Sequence, residues 1–569
     1  MAGAKTVMRA PTVRRAPDAG HIPACAPSNI LDRVRSPLPL RLTSFLLVML
    51  SAVSITGCGA NNGNGQQQAA QALASPSGLP ATFEVFADAG EKNEASARAR
   101  SGTTSPAFSD LTALNVEALA NTLGNWWTIF DDALLNSLVH RTIESNWELQ
   151  AAVENIEQAK SEIVRVNSNA LPSLGANVTA SRQQTGTNSK LGFALYDLYG
   201  FNASLAWEPD VFGQVQTRVD AATRNVELEQ AERRALMVAI TAELVDAYAQ
   251  LRAVQQQLAL TRQYANLLQQ QIALTRRLAD SGLVAPARIA QMQQVFLSTQ
   301  SQIPALQARI ESLITTCSIL TGGFPGELAG ALRKPAPMLS VKHAVPKTLP
   351  SQVLAQRPDI AAQQARILAS LWNVEAAQAD FMPRFNIPLG VGFSSTPFDL
   401  LLNPASFIWN FGVGLVAPLY TGEKLEANLA IAQSISRQDQ LLYEQAVRQA
   451  LKEVEDAVIG YQMSQASLVS TENMLKAQGA TVAQQQSLFA TGQASRLQLN
   501  QALLEQVLSR QLVIDARYAT TANMVMLYRA LGGGWTEDSQ SNRSERPSTQ
   551  KTSQPRNPGP PNPSLGDST

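Results

Sequence analysis

The sequence predicts a mainly α protein in which very long coiled-coil helices continue directly from β-strands of membrane-barrel length, with this unit used twice in one chain. Three observations predict it. Residues 214–280 contain neither Pro nor Gly, and residues 424–491 are interrupted only by Gly460 and Gly479. At 1.5 Å per residue each stretch spans roughly 100 Å as a helix, too long for a compact domain. Just before each lie segments of about ten residues that alternate apolar with polar or small side chains, the length and pattern of outer-membrane strands or, alternatively, of a half-buried sheet in a soluble domain. Finally, Pro172 and Pro383, Pro209 and Pro418, Gly213 and Gly422, Gly282 and Gly492, and Gly322 and Gly532 are separated by 211, 209, 209, 210 and 210 residues. Such a period far exceeds solenoid repeats and indicates a duplicated half-molecule.

The chain begins with targeting information. Arg41 precedes an apolar run, Leu42 to Gly57, shorter than the roughly 20 residues of a spanning helix; it reads as an export signal. Cys58 follows Thr56 and Gly57. This resembles the lipobox of bacterial lipoproteins, in which the cysteine is lipidated and becomes the mature N-terminus, with Ile55 where Leu is usual. By the same analogy Gly59, rather than Asp, favours sorting to the outer membrane. Seven basic side chains precede the run in an unusually long leader, which a start near Val34 would shorten. An uncleaved anchor, or a signal without lipid at Cys58, remains the alternative. Residues 1–57 are thus signal with an upstream extension, 58–123 an Asn/Gln/Ala-rich tether, and 536–569 a polar, Pro-rich disordered tail.

Between these lie two halves, 124–325 and 326–535. In the first, strands are expected over about 171–185 and 200–210, with Leu174, Ala176, Val178 and Ala180, then Phe201, Ala203, Leu205 and Trp207, on one face. Helices over about 214–280 and 286–320 follow. In the second, strands are expected over about 384–395 and 407–419, and helices over about 423–491 and 495–531. Pro209 with Gly213 and Pro418 with Gly422 mark each change from strand to helix. Leu228, Leu236, Ile240, Leu244, Tyr248 and Leu251 recur at threes, fours and their sums, as a packed helix face requires. Pro286 suits a first helical turn, whereas Pro304 is expected to kink or break its helix. The return helices are half as long, so Leu134 to Val166 and Leu349 to Phe381 must complete the bundle. Four strands cannot close a barrel, since closed single chains need at least about 8. A membrane location therefore forces several chains to supply strands together.

Composition narrows the function. With 45 basic and 45 acidic residues there is no basic footprint for nucleic acid. Cys25, Cys58 and Cys317 form no disulfide framework, and Cys317 is expected to pack as a small apolar group. His21, His140 and His343 show no metal-ligand spacing, and no nucleophile-elbow or phosphate-loop spacing occurs, so no enzyme is indicated.

"NWWTIFDDALLNSLVHRTIESNWELQAA", "WEPDVFG", "LPSQVLAQRPDIAAQQ", "APLYTGEKLEANL" and "YRALGGGW", in this order and spacing, resemble the TolC-type outer membrane factor family, in its NodT-like lipoprotein branch. The resemblance covers Asn125 to Trp535. It implies a homotrimer whose twelve strands, four per chain, form one β-barrel in the outer membrane, continuous with a twelve-helix periplasmic α-barrel. It implies a passive, gated duct for small toxic compounds, with no catalytic residues and no cofactor. Energy comes from an inner-membrane resistance-nodulation-division transporter, reached through a periplasmic adaptor. Carried over by motif, the helix-turn-helix tips are Gly282, Leu283, Val284 and Ala285, and Gly492, Gln493, Ala494 and Ser495. These form the closed periplasmic end and meet the adaptor. Gln493 departs from the more apolar residue often found there. "QQQSLFATG" offers no acid before the second tip, which leaves Asp280 as the gate candidate. In "QRPDI", Arg357, Pro358 and Asp359 are expected to start a helix, and Trp126 and Trp127 to be packing anchors.

Two other readings use the same residues. The same architecture could serve protein secretion with an ABC-type exporter, although the lipobox, "QRPDI" and "GGGW" favour efflux. A lipid-anchored periplasmic coiled-coil scaffold is a different class, against which the four alternating segments speak.

Overall fold

The computed structural model describes residues 123–186, 194–340 and 350–535. The leader, Cys58, the tether and the C-terminal tail lie outside them. A short 3₁₀ turn, Trp126–Phe130, opens the described chain, followed by α1 (Ala133–Ser145) and α2 (Trp147–Asn167). The Asp132 carboxylate accepts from the amides of Leu134 and Leu135 and starts α1; Asn146 likewise starts α2, and so divides the single expected segment in two. Strands β1 (Ser173–Thr185) and β2 (Ala194–Trp207) lead into α3 (Gln214–Asp280) and α4 (Pro286–Leu320). The one-turn α5 (Ala329–Leu332) follows, then α6 (Pro350–Gln356) and α7 (Pro358–Ala379). Next come β3 (Arg384–Ser395), β4 (Phe407–Phe411) and β5 (Gly414–Val416), and finally α8 (Lys424–Ala490) and α9 (Arg496–Ala530).

Helices α3 and α8 each contain 67 residues, and α4 and α9 each contain 35. Helix α8 runs through Gly460 and Gly479 as one element, as expected. Other expectations need correction. Pro304 does not break α4: one missing amide donor is tolerated within 35 helical residues packed along α3. And β2 begins at Ala194, well before the expected 200, because its first residues pair with the far end of β1 down to Ala194 opposite Thr185.

All strand pairs are antiparallel in the order β1-β2-β3-β4. The expected strand over 407–419 is shorter and divided, ending at Val416 before Pro418. Leu389 faces Phe411 and Asn386 faces Gly414 in one unchanged register, so β4 and β5 are one ribbon. The gap falls where Pro388, which has no amide proton, faces Gly412; the Gly412 amide still donates to the Pro388 carbonyl at 3.0 Å.

The main core lies where the N-terminal segment crosses both helical hairpins. Trp126, Trp127, Phe130, Leu135 and Val139 pack there with Leu244, Tyr248 and Leu251 of α3, Ile314 and Cys317 of α4, Val454 and Val458 of α8, and Met524 and Tyr528 of α9. Trp126 stacks on Tyr528 with ring centroids 5.2 Å apart, so the tryptophans are packing anchors as expected. Cys317 is fully buried, and burial pushes its thiol up to about 12.

Candidate functional site: the open sheet, the changeovers and the helix turns

The sheet has no covered face. Leu174 and Val178 on β1, Leu195 on β2, Val391 on β3, and Ile408, Trp409 and Phe411 on β4 are all exposed, Leu174 at 77% and Trp409 at 69%. Soluble layers bury at least one face of a sheet against another element. Strands of 13 and 14 residues extend about 45 Å, and at the usual tilt of about 45° they span the roughly 30 Å of a bilayer's hydrocarbon. β1 and β4 leave unpaired edges within one chain. No helix among the described residues is long and apolar enough to cross a membrane.

Below the sheet, the first changeover is held from several sides. Gly213 takes φ 73° as the N-cap of α3, a conformation open to glycine. Asp210 accepts from the amides of Val215 and Gln216 at 2.9 and 2.8 Å, satisfying two free donors of the helix start. Gln214 Nε2 donates to the carbonyls of Ala379 and Met382, and Arg218 pairs with Asp380 at 2.6 Å, which also pairs with Arg384. The second changeover has Gly422 at φ 63° and Glu423 at φ 64°, no side-chain cap, and Leu419 and Tyr420 almost wholly exposed.

At the core level three distant motifs meet. "QRPDI" starts α7 as expected, with Pro358 first and Asp359 in the first turn. Its Arg357 is buried, and its guanidinium donates to Asp359, to Glu453 of α8 at 2.8 Å and to the Ala530 carbonyl at 2.9 Å. Burial opposes the charge, but the paired carboxylates outweigh it and leave the group more basic than usual. Gly532, at φ 76°, lies against the Arg357 backbone, where a Cβ would come within 3.0 Å of its Cα. The Gly534 amide donates to the Leu123 carbonyl at 2.8 Å. Thus "GGGW", "QRPDI" and the N-terminal tryptophans tie the two halves together.

Both helix turns are Schellman motifs. In the first, Leu283 N donates to Leu278 O and Gly282 N to Ala279 O; in the second, Gln493 N donates to Leu488 O and Gly492 N to Phe489 O. Gly282 and Gly492 take φ 76° and 75°. After the turns the sequences diverge: Ala285 offers no cap and Pro286 starts α4, whereas Ser495 and Gln498 form a capping box for α9. Leu283 is 74% exposed and Gln493 exposed, while Val284 and Ala494 are half-buried. Asp280 is the exposed last residue of α3. The hairpins lie side by side, held by Leu267, Leu268, Leu504 and Val507 and by Asn500 Nδ2 donating to the Leu267 carbonyl at 2.9 Å, so both turns point to one end.

Sequence reasoning missed Asp210 and Asn500. An Asp just before a helix start is a legible capping signal. Asn500 carries none, since its partner lies 233 residues away.

The sequence profile of the Outer membrane efflux protein family matches residues 138–314 and 349–533. The chain belongs to that family. Over 431 residues it is 27% identical to the Cation efflux system protein CusC of Escherichia coli O157:H7, covering 75% of this chain and 92% of the relative. It is 27% identical over 443 residues to the Pyoverdine export outer membrane protein OpmQ of Pseudomonas aeruginosa, covering 74% and 90%. Among solved structures, the outer-membrane channel OprN superposes with a TM-score of 0.66 at 28% identity, over 72% of this chain and 93% of that one. This efflux-family chain is therefore an outer-membrane channel component.

Proposed function

We propose that three copies of this chain close their four-strand sheets into one twelve-stranded barrel, continued as a helical duct through the periplasm, and that the trimer is the outer part of a tripartite pump exporting small toxic compounds. The observation that carries this is the sheet with two exposed faces and two unpaired edges: in lipid those edges require strands from other copies. The uncovered apolar row on α8, which includes Ile431, Ile435, Ile459 and Met463, supports it, because a neighbouring copy would bury it. The equal lengths of α3 and α8, and of α4 and α9, support a duplicated origin in which each half supplies one hairpin.

In this reading Cys58 is lipidated and anchors the mature N-terminus in the outer membrane. The turns Gly282 to Ala285 and Gly492 to Ser495 close the periplasmic end and meet the adaptor, which couples the duct to an inner-membrane resistance-nodulation-division transporter. The duct itself is passive. Two relatives equally similar to this chain are named for a cation and for pyoverdine, so overall similarity does not select the cargo.

The test is single-channel conductance of the detergent-purified protein in planar bilayers, with oligomeric mass measured on the same sample. A trimer with small currents that rise when substitutions loosen the two turns is expected. A monomer or dimer with no current under any turn substitution would overturn the duct and leave a lipid-anchored scaffold.

A further inference from the structure

We propose that the turn end of the duct is an electropositive mouth that draws in anionic solutes. This rests on the duct reading and adds a cargo class to it. The chain as a whole is neutral, but its charge is unevenly placed. Within 18 residues of the two turns along the four long helices stand Arg262, Arg276, Arg277, Arg288, Lys476, Arg496 and Arg510 against Asp280, Glu472 and Glu505. Seven cations against three anions leave four positive charges per chain, and three chains bring about twelve to one end.

All seven cationic side chains are exposed, and among the described residues none of them enters an ion pair. The farthest of the mouth charges, Arg262, stands 18 residues before the end of α3, roughly 27 Å along the helix. Helix stability accounts for only part of the set. Arg276 and Arg277 suit the C-terminal end of α3, where the dipole favours cations. Arg288 and Arg496 do the reverse, standing in the first turns of α4 and α9, where the dipole already presents positive charge. Cations held unpaired against the dipole at both turns raise the local potential of the mouth, and clefts of one sign concentrate solutes of the other.

The experiment is the reversal potential of the purified full-length protein in planar bilayers under a tenfold potassium chloride gradient centred near ~0.1 M, where the Debye length is about 10 Å. Chloride should permeate more readily than potassium by a factor on the order of three. The preference should fall toward unity in the combined Arg276→Gln, Arg277→Gln, Arg288→Gln, Arg496→Gln variant, and also near ~1 M salt, where the Debye length is about 3 Å. It should rise in Asp280→Asn, which removes the opposing charge nearest the turns. Currents that are unselective or cation-selective in the parent protein would overturn the mouth while leaving the duct intact, and would place these cations on an outward docking face. No current from any of the three proteins would overturn the duct and the mouth together.

Discussion

Helices α3 and α8 have the same length and the same place in their halves, yet 28 residues of α3 are buried against 11 of α8. The buried positions of α8 from Ser436 to Ser464 recur at threes and fours, one heptad stripe. Those of α3 between Met237 and Leu258 occupy nearly every position, because α2, α4, α7 and α9 all pack on it. The changeovers differ in the same sense: the first is clamped by Asp210, Gln214 and Arg218, and the second is bare beside Leu419 and Tyr420. One half of the chain is finished internally, and the other keeps an exposed face that the proposed trimer would bury.

This contrast can be broken by substitution. Leu244→Ala, at a wholly buried α3 site, should cost about 3–5 kcal/mol and lower the thermal midpoint followed by circular dichroism. Ile459→Ser on α8 should leave the unfolding of the single chain nearly unchanged and instead reduce the fraction of trimer by light scattering. Equal effects on both measurements would refute the division of labour. Arg357→Ala strips α7 of its ties to Glu453 and Ala530, and should cost about 2 kcal/mol, since the carboxylates left behind stay solvated; Arg357→Lys should recover only part, since a lysine cannot span both partners.

Smaller effects sharpen the comparison of changeovers and turns. Asp210→Ala should cost about 1 kcal/mol through its lost cap, and Thr421→Ala, whose side chain caps nothing, should be neutral in the same melting assay. Gly282→Ala and Gly492→Ala should each cost about 1 kcal/mol through their left-handed backbone, while Ser495→Ala should add about 1 kcal/mol at the second turn alone. The smallest expected signal is labelling of Cys317. With its thiol pushed up to about 12 it should resist alkylation near neutral pH in the folded protein and react once unfolded.

The order of elements, the four long helices with their ends near Asp280, Leu320, Ala490 and Ala530, and both glycine turns were legible in the sequence. They follow from local chemistry: Pro and Gly punctuate the backbone, and helix length needs only their absence. The apolar recurrence Leu228, Leu236, Ile240, Leu244, Tyr248 and Leu251 on α3 was also readable, and most of these positions are buried. The tertiary structure alone decided the rest. The period on α3 marks one face and not how many neighbours pack on the others, and Arg357 with Glu453, or Asn500 with Leu267, are partners that only folding brings together. Pro304 was misread for the same reason: its local cost is real, but packing along a 67-residue partner outweighs it.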